Sequence, residues 1–398
     1  MDFRFTKEEE EFRQEVRDWL KKEIPKRWHE LHPVSTMCTA MWQETEESWP
    51  ISREFQRKLG SKGWLAPSYP KQYGGSEMSH MKRLILAEEL SYNNAPVGVE
   101  TEIAVNWVGP DILLFGTEEQ KEKYVKGVAL GEKIICLGYS EPNAGSDLAS
   151  IQTKAEEDGD EYVINGSKIW TSYAHHADYC WLVARTDPNA PKKYQGVSMF
   201  IIDMKTPGIT VRPLVNIVNF HSFNEVFFDN VRATKDCLVG EKNKGFYELM
   251  IALDYERSSV GTAASLQRIL EGLIRYAKEM GRDKDPIIRQ KLGEFAIEVE
   301  VSRMMCYRIA WMFSKGLHPN YESSMSMIFM SDLARRVADL GRDIQGLYAQ
   351  LALDSKWTID NASIERLILG SLSIGVGGGT NEIQRNIIAQ RGLGLPRK

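Results

Sequence analysis

Cysteine and long apolar runs are what this 398-residue chain has least of. Its five cysteines, Cys38, Cys136, Cys180, Cys237 and Cys306, form no Cys-x-x-Cys pair. That excludes a disulfide framework and a cysteine-ligated zinc site, and leaves reduced, mostly buried thiols as the expectation. No segment approaches the roughly 20 apolar residues needed to cross a bilayer. Residues 7–11 are too densely charged for a signal peptide. Membrane insertion is therefore not expected, and a cytoplasmic protein is. A basic excess is missing as well: the net charge is −5 and the pI near 5.9, so no surface is suited to phosphate backbones and nucleic acid is not an expected partner. No internal repeat of roughly 20 to 50 residues and no low-complexity linker is present, so the parts of the chain are expected to pack as one compact unit.

What is present is a 42% apolar chain long enough for two or three domains. Thr6 and Glu9 form a capping box, and Phe12, Val16, Trp19 and Leu20 then recur at helical spacing, so the chain opens with an amphipathic helix. More helices follow to about residue 130, separated by breaks at Ala66-Pro-Ser-Tyr-Pro70 and Tyr73-Gly-Gly75. The pattern then changes to short β-branched and aromatic runs: Val163-Ile164, Trp181-Leu-Val183, residues 197–202, residues 209–211 and Val226-Phe-Phe228. Asn165-Gly166 and Thr206-Pro-Gly208 read as turns between them. From Gly245 long helical patterns return, broken near residues 281–286 and 316–319 and followed by a glycine-rich stretch at 375–379. The fold class is thus α+β: an N-terminal helical domain at 1–130, a small, mostly antiparallel β domain at 131–240, and a C-terminal helical domain at 241–398.

Three places could carry chemistry. In Tyr139-Ser-Glu-Pro-Asn-Ala-Gly-Ser146 the proline and glycine take the backbone out of a regular strand, freeing amide N–H groups beside the hydroxyls of Ser140 and Ser146. On spacing alone this is an ordinary surface turn. Gly375-Val-Gly-Gly-Gly379 runs into a helix start, a favourable place for an anion, but it lacks the spacing and βαβ setting of a dinucleotide fingerprint. His175-His176 suggests a metal; adjacent residues in a strand or turn point apart and no third ligand lies at metal spacing, so no metal is expected. The Met325-Ser-Met-Ile-Phe-Met330 stripe reads as helix core, and Glu118 and Glu119 as a solvated face.

Leu137-Gly-Tyr-Ser-Glu-Pro-Asn-Ala-Gly-Ser-Asp147, Trp170-Thr-Ser172 and Gly378-Gly-Thr-Asn-Glu-Ile-Gln-Arg385 resemble, in order, the flavin-binding and closing motifs of the acyl-CoA dehydrogenase family. The resemblance runs through Gly116-Thr-Glu-Glu-Gln120 and covers nearly the whole chain. It implies FAD as cofactor, a C-terminal four-helix bundle, and an acyl-CoA substrate. Leu137, Tyr139 and Ser140 occupy positions that line the isoalloxazine in that family. Gly145 and Ser146 match positions at the flavin phosphates or the thioester chain. Trp170 matches the residue packed on the ring face, beside Thr171, and Ser172 the hydroxyl near flavin N5; without the family, a tryptophan in a β run reads as core. Thr380 and Glu382 match FAD contacts.

One departure concerns the base. Where most members carry a catalytic glutamate just before the closing Gly-Thr pair, this chain has Gly378. Glu256, in Leu253-Asp-Tyr-Glu-Arg257, matches the glutamate of the isovaleryl-CoA and long-chain members, so the resemblance implies that Glu256 takes the α-proton while the N–H of Gly378 still donates to the thioester carbonyl. Asp254 and Arg257 match positions beside the CoA chain. The Arg-x-x-Phe-Gly motif of many members is replaced by Lys278-Glu-Met-Gly-Arg-Asp-Lys-Asp-Pro286, and Gly98 stands where glutaryl-CoA enzymes keep an arginine. The implied activity is FAD-dependent α,β-dehydrogenation of an acyl-CoA, with N5 accepting the β-hydride and electrons passing to an electron-transfer flavoprotein. Moving the base from the closing loop to Glu256 frees space beside the other wall, so a branched, cyclic or bulky acyl group is the expected substrate. A tetramer is implied, homomeric or with a homologous subunit. The alternatives are a non-catalytic subunit of such an assembly and a relative that performs non-oxidative elimination or decarboxylation.

Overall fold

The structure, a computed structural model, describes residues 4–32, 45–253 and 260–396. The chain divides into two compact units: Met1–Ile51 with Met78–Pro96 and Arg257–Lys398, and Ser52–Glu77 with Val97–Glu256. Among the described residues no helix is long and apolar enough to cross a membrane.

The first unit is helical. Its opening helix, Lys7–Glu23, begins as the capping box requires: the Thr6 hydroxyl accepts the Glu9 N–H at 3.3 Å, and the Glu9 carboxylate accepts the Thr6 N–H at 2.8 Å. Phe12, Val16 and Leu20 face inward. So does Arg13, which donates to Glu88 and Glu89 at 2.7 Å each and ties this helix to His80–Tyr92. Helices Val260–Glu279, Pro286–Ser314, Glu322–Gln345 and Ser363–Ser371 share a core in which Leu270, Leu292, Leu333 and Leu367 meet. The break before the second of them is set by Gly281, at φ +68°, and by Asp285, whose carboxylate caps the N–H groups of Ile287 and Ile288 while Pro286 occupies the first helical position. The methionine stripe is less interior than its composition suggests: Met330 is buried, but Met325 is 40% exposed, and the hydroxyl residues Ser323, Ser324 and Ser326 take the inner positions instead. Helical phase, not side-chain polarity, decides which of them turn inward.

The second unit carries an eight-stranded sheet. Its strands are β1 (Ile135–Gly138), β2 (Lys154–Asp158), β3 (Glu161–Lys168), β4 (Tyr179–Arg185), β5 (Val197–Asp203), β6 (Ile209–Leu214), β7 (Phe223–Thr234) and β8 (Leu238–Val239), in the order β6-β7-β3-β2-β4-β5-β8 with β1 alongside β4. Pairing is antiparallel except for β1 and β2 against β4. Asn165-Gly166 is not the expected turn. It lies inside β3, where the register with β7 shifts between Ile164 and Gly166. Gly166 sits at φ +149°, and a Cβ there would come within 2.5 Å of the Thr153 hydroxyl, so the glycine serves a bulge and a close approach. The turn itself falls at Gly159 (φ +64°), between β2 and β3. Helical segments precede the sheet. One is π-helical over Ala104–Val108, where Pro110 offers no N–H to the carbonyl of Asn106.

Candidate active site

Two of the sequence segments singled out above are fastened together in the sheet unit. Lys168, the last residue of β3, has a fully buried ammonium that donates to the Glu141 carboxylate at 2.8 Å and to the Tyr139 carbonyl at 3.1 Å. Glu141 also accepts the N–H groups of Gln152 at 2.6 Å and Thr153 at 2.9 Å. The next residue, Ile169, donates its N–H to the Ser140 carbonyl at 2.9 Å. Burial would raise the Glu141 carboxyl, but the Lys168 charge and these donors hold it below the usual range; burial draws Lys168 down against the pull of Glu141. Neither residue stands out in the sequence as more than an ordinary charge, because nothing local marks a lysine ending a strand as buried.

Beyond this clamp the chain turns. Trp170 adopts φ +60°, a left-handed conformation costly for a bulky residue. Its indole is 57% exposed, with the Phe223 ring edge-on at 6.1 Å, so it is not the core residue that a tryptophan in a β run suggests. Thr171 is buried between Trp170 and the half-buried Ser172. Among the described residues, the amides of Ser140, Trp170 and Ser172 and the hydroxyls of Ser140 and Ser172 have no hydrogen-bond partner. Leu137 is half-buried in β1, Gly145 has nothing within 4 Å of where a Cβ would stand, and Ser146 is exposed. An open aromatic face rimmed by free amides and short hydroxyls suits a flat, heteroatom-edged ring such as a flavin.

The helical unit holds the glycine loop. Gly375, Gly378 and Gly379 all lie at positive φ (+88°, +72° and +96°). A Cβ on Gly378 would meet nothing closer than Met327 Cε at 3.9 Å. Buried Gln384 donates to the carbonyls of Gly378 at 3.3 Å and Gly379 at 3.1 Å and is itself held by the Ser324 hydroxyl at 2.7 Å. Thr380 caps the helix Asn381–Ile387, on which Glu382 is exposed beside Arg385. Asp254, Glu256 and Arg257 lie outside the described residues.

Family models for the acyl-CoA dehydrogenase N-terminal, middle and C-terminal domains match residues 6–132, 136–231 and 243–393. Acyl-CoA dehydrogenase IpdE1 of Mycobacterium tuberculosis is 32% identical over 391 residues, 98% of each chain. The chain belongs to the acyl-CoA dehydrogenase family. The fold is therefore that family's: N-terminal helices, a middle sheet and C-terminal helices, with FAD as its cofactor. Two solved structures are similar over all of both chains: a Tcur3481-Tcur3483 steroid ACAD at 31% identity and TM-score 0.88, and the ChsE4-ChsE5 complex from Mycobacterium tuberculosis at 30% and 0.85.

Two features of the dehydrogenase's sheet unit were not legible beforehand. The rings of His175 and His176 do not point apart; their centroids are 4.2 Å from each other, and His221 stacks on His175 at 4.0 Å. Among the described residues no group of three His, Cys, Asp or Glu is placed to hold a metal ion. The second feature is Asp111, fully buried with neither carboxylate oxygen hydrogen-bonded. Burial first, then the nearby Glu248 carboxylate, push it up to about 8, although the Trp181 indole pulls the other way. The Tyr139 hydroxyl, buried and also without a partner, lies in the same field.

Asp111 gives a pH prediction. The folded state keeps this proton up to about pH 8, whereas an unfolded aspartate loses it near pH 4. The stabilisation is thus complete below about pH 4 and is lost, by about 1.4 kcal/mol per pH unit, as pH rises toward the folded value. Asp111→Asn is neutral throughout, so its melting temperature relative to the native enzyme should climb between pH 5.5 and 8.5 in thermal scans, values bracketing about 8. Parallel curves would show that Asp111 is ionised in the fold.

Proposed function

We propose that this enzyme desaturates a branched, cyclic or otherwise bulky acyl-CoA between Cα and Cβ, with 1–130, 131–240 and 241–398 as its domains. The observation that carries the reading is the exposed Trp170 indole beside the partnerless donors of Ser140 and Ser172. FAD, when bound, supplies the two-electron acceptor that takes the β-hydride. Trp170 would cover a ring face, the Ser140 and Ser172 donors with Leu137, Tyr139 and Thr171 would line the ring edge, and Thr380 and Glu382 would hold the remainder of the cofactor. Glu256 removes the α-proton, and the Gly378 N–H polarises the thioester carbonyl so that negative charge can develop there. Gly145 and Ser146 meet the phosphates or the thioester chain, and Asp254 and Arg257 lie along the CoA.

A bulky acyl group is supported by the absence of a side chain at Gly378, whose Cβ position is open to 3.9 Å, and by the steroid ACAD among the similar structures. Gly98 argues against a second carboxylate on the substrate. Electrons pass to an electron-transfer flavoprotein. Because both similar structures are two-component assemblies by their descriptions, a tetramer with a homologous second subunit is favoured over a homotetramer. Co-expression that yields a single complex with a second such chain supports it; a stable, active homomer refutes it.

Anaerobic bleaching of the bound flavin, near about 450 nm for oxidised flavins in general, against straight, branched, cyclic and polycyclic acyl-CoAs tests the reaction. Rapid bleaching by a ring-bearing substrate is expected. Fastest bleaching by a short linear thioester removes the substrate reading, product formation without an electron acceptor favours the non-oxidative relative, and no bleaching by any thioester favours the accessory subunit. Trp170→Ala should weaken FAD binding about tenfold, since an aromatic pair contributes roughly 0.5–1.5 kcal/mol beyond its buried area. Fluorescence titration of the apoprotein reads this directly.

A further inference from the structure

Asn224 is fully buried on β7, and its hydrogen bonds converge on the turn that bears Trp170 and Ser172. Its main-chain carbonyl accepts the Thr171 N–H at 3.0 Å, and its side-chain Nδ2 donates to the Thr171 carbonyl, also at 3.0 Å. Both polar main-chain groups of Thr171 are thereby consumed. The second bond matters most. A peptide unit is planar and trans, so whatever fixes the Thr171 carbonyl also fixes the opposite direction of the Ser172 N–H. That N–H is one of the donors left without a partner among the described residues.

The Asn224 amide is itself oriented by two imidazoles. The His221 Nε2 lies 2.8 Å from Oδ1, and the His175 Nδ1 lies 3.1 Å from Nδ2. An amide oxygen can only accept and an amide nitrogen can only donate, so His221 donates through Nε2–H and His175 presents a bare Nδ1. Burial first, then the neighbouring His176 and His221, lower His175 to about 4, which keeps that lone pair available. The stacked rings of His175 and His221 thus admit one orientation of the amide.

We propose that Asn224, oriented by His175 and His221, is a positioning residue that aims the Ser172 amide at the flavin ring edge. This rests on the flavin reading given above. Asn224→Asp replaces the donor with an acceptor and cannot hold the Thr171 carbonyl. His175→Leu removes the acceptor that fixes the amide, whereas His175→Asn restores an acceptor at the Nδ1 position.

The test uses FAD-reconstituted protein and reads the flavin absorption spectrum, its reduction potential and the FAD dissociation constant. Asn224→Asp and His175→Leu should shift the visible band and the potential and raise the dissociation constant about tenfold, the worth of one hydrogen bond to the ring. His175→Asn should return all three toward the native values. Native spectrum and potential in His175→Leu would overturn the proposal, as would a His175→Asn variant no better than His175→Leu. Should Asn224→Asp fail to fold, the two His175 variants decide alone. Failure of the native protein to take up FAD would instead remove the flavin reading itself.

Discussion

Glu256→Gln is expected to slow anaerobic flavin reduction by acyl-CoA by about 10²- to 10⁴-fold, the usual contribution of a general base, while leaving FAD bound. Glutamine keeps the size and polarity of the side chain but cannot take the α-proton, so the loss should fall on the chemical step and leave substrate affinity nearly unchanged. The glycine loop offers a control. Gly378 lies at φ +72°, where an L-residue costs about 1–2 kcal/mol, so adding Gly378→Glu to Glu256→Gln should not restore the rate. Stopped-flow bleaching of the three proteins measures this. An undiminished rate in Glu256→Gln would move the base elsewhere, and recovery in the double variant would show that the loop accepts a carboxylate.

Lys168→Met should be the most damaging single change to the sheet unit. Breaking a buried ion pair costs roughly 3–5 kcal/mol because the remaining charge keeps its desolvation penalty without its partner. Glu141, which also caps two backbone N–H groups, is left buried and ionised, and the two site segments that Lys168 joins lose their fastening. Denaturant unfolding should show the loss, and the protein should retain FAD poorly on gel filtration. The pH dependence has a definite sign. The folded Glu141 carboxyl lies below its unfolded value, so its contribution is present above the unfolded value and disappears as pH falls through the folded one. The gap between native and variant should therefore narrow in acid. Glu141→Gln combined with Lys168→Met should recover part of the loss, because it removes the stranded charge; a double variant as unstable as Lys168→Met would place the damage in packing.

Some of this architecture could be read directly from the chain. The opening helix follows from Thr6, Glu9 and an inward stripe, all within about four turns. The residues of β3, β4, β5 and β7 carry the β-branched and aromatic runs that mark buried strands. Asn165-Gly166 misled because the same dipeptide satisfies a tight turn and a bulge, and only pairing with β7 distinguishes them. Likewise the Trp170 indole carries no local mark that its turn leaves it exposed.

The sequence by itself determined the order helices, sheet, helices, the segments at 137–147, 170–172 and 378–385, and from them the family and its cofactor. These are properties of composition, periodicity and short motifs, each confined to a few consecutive residues. The tertiary structure alone decided that Lys168 is buried against Glu141, that the Asp111 carboxyl is buried with neither oxygen hydrogen-bonded, and that His221 joins His175 around Asn224 to hold Thr171. The reason is that burial and partnership are made by residues distant in the chain, and it is desolvation together with the partner's charge that gives an ordinary lysine, aspartate or histidine its chemistry.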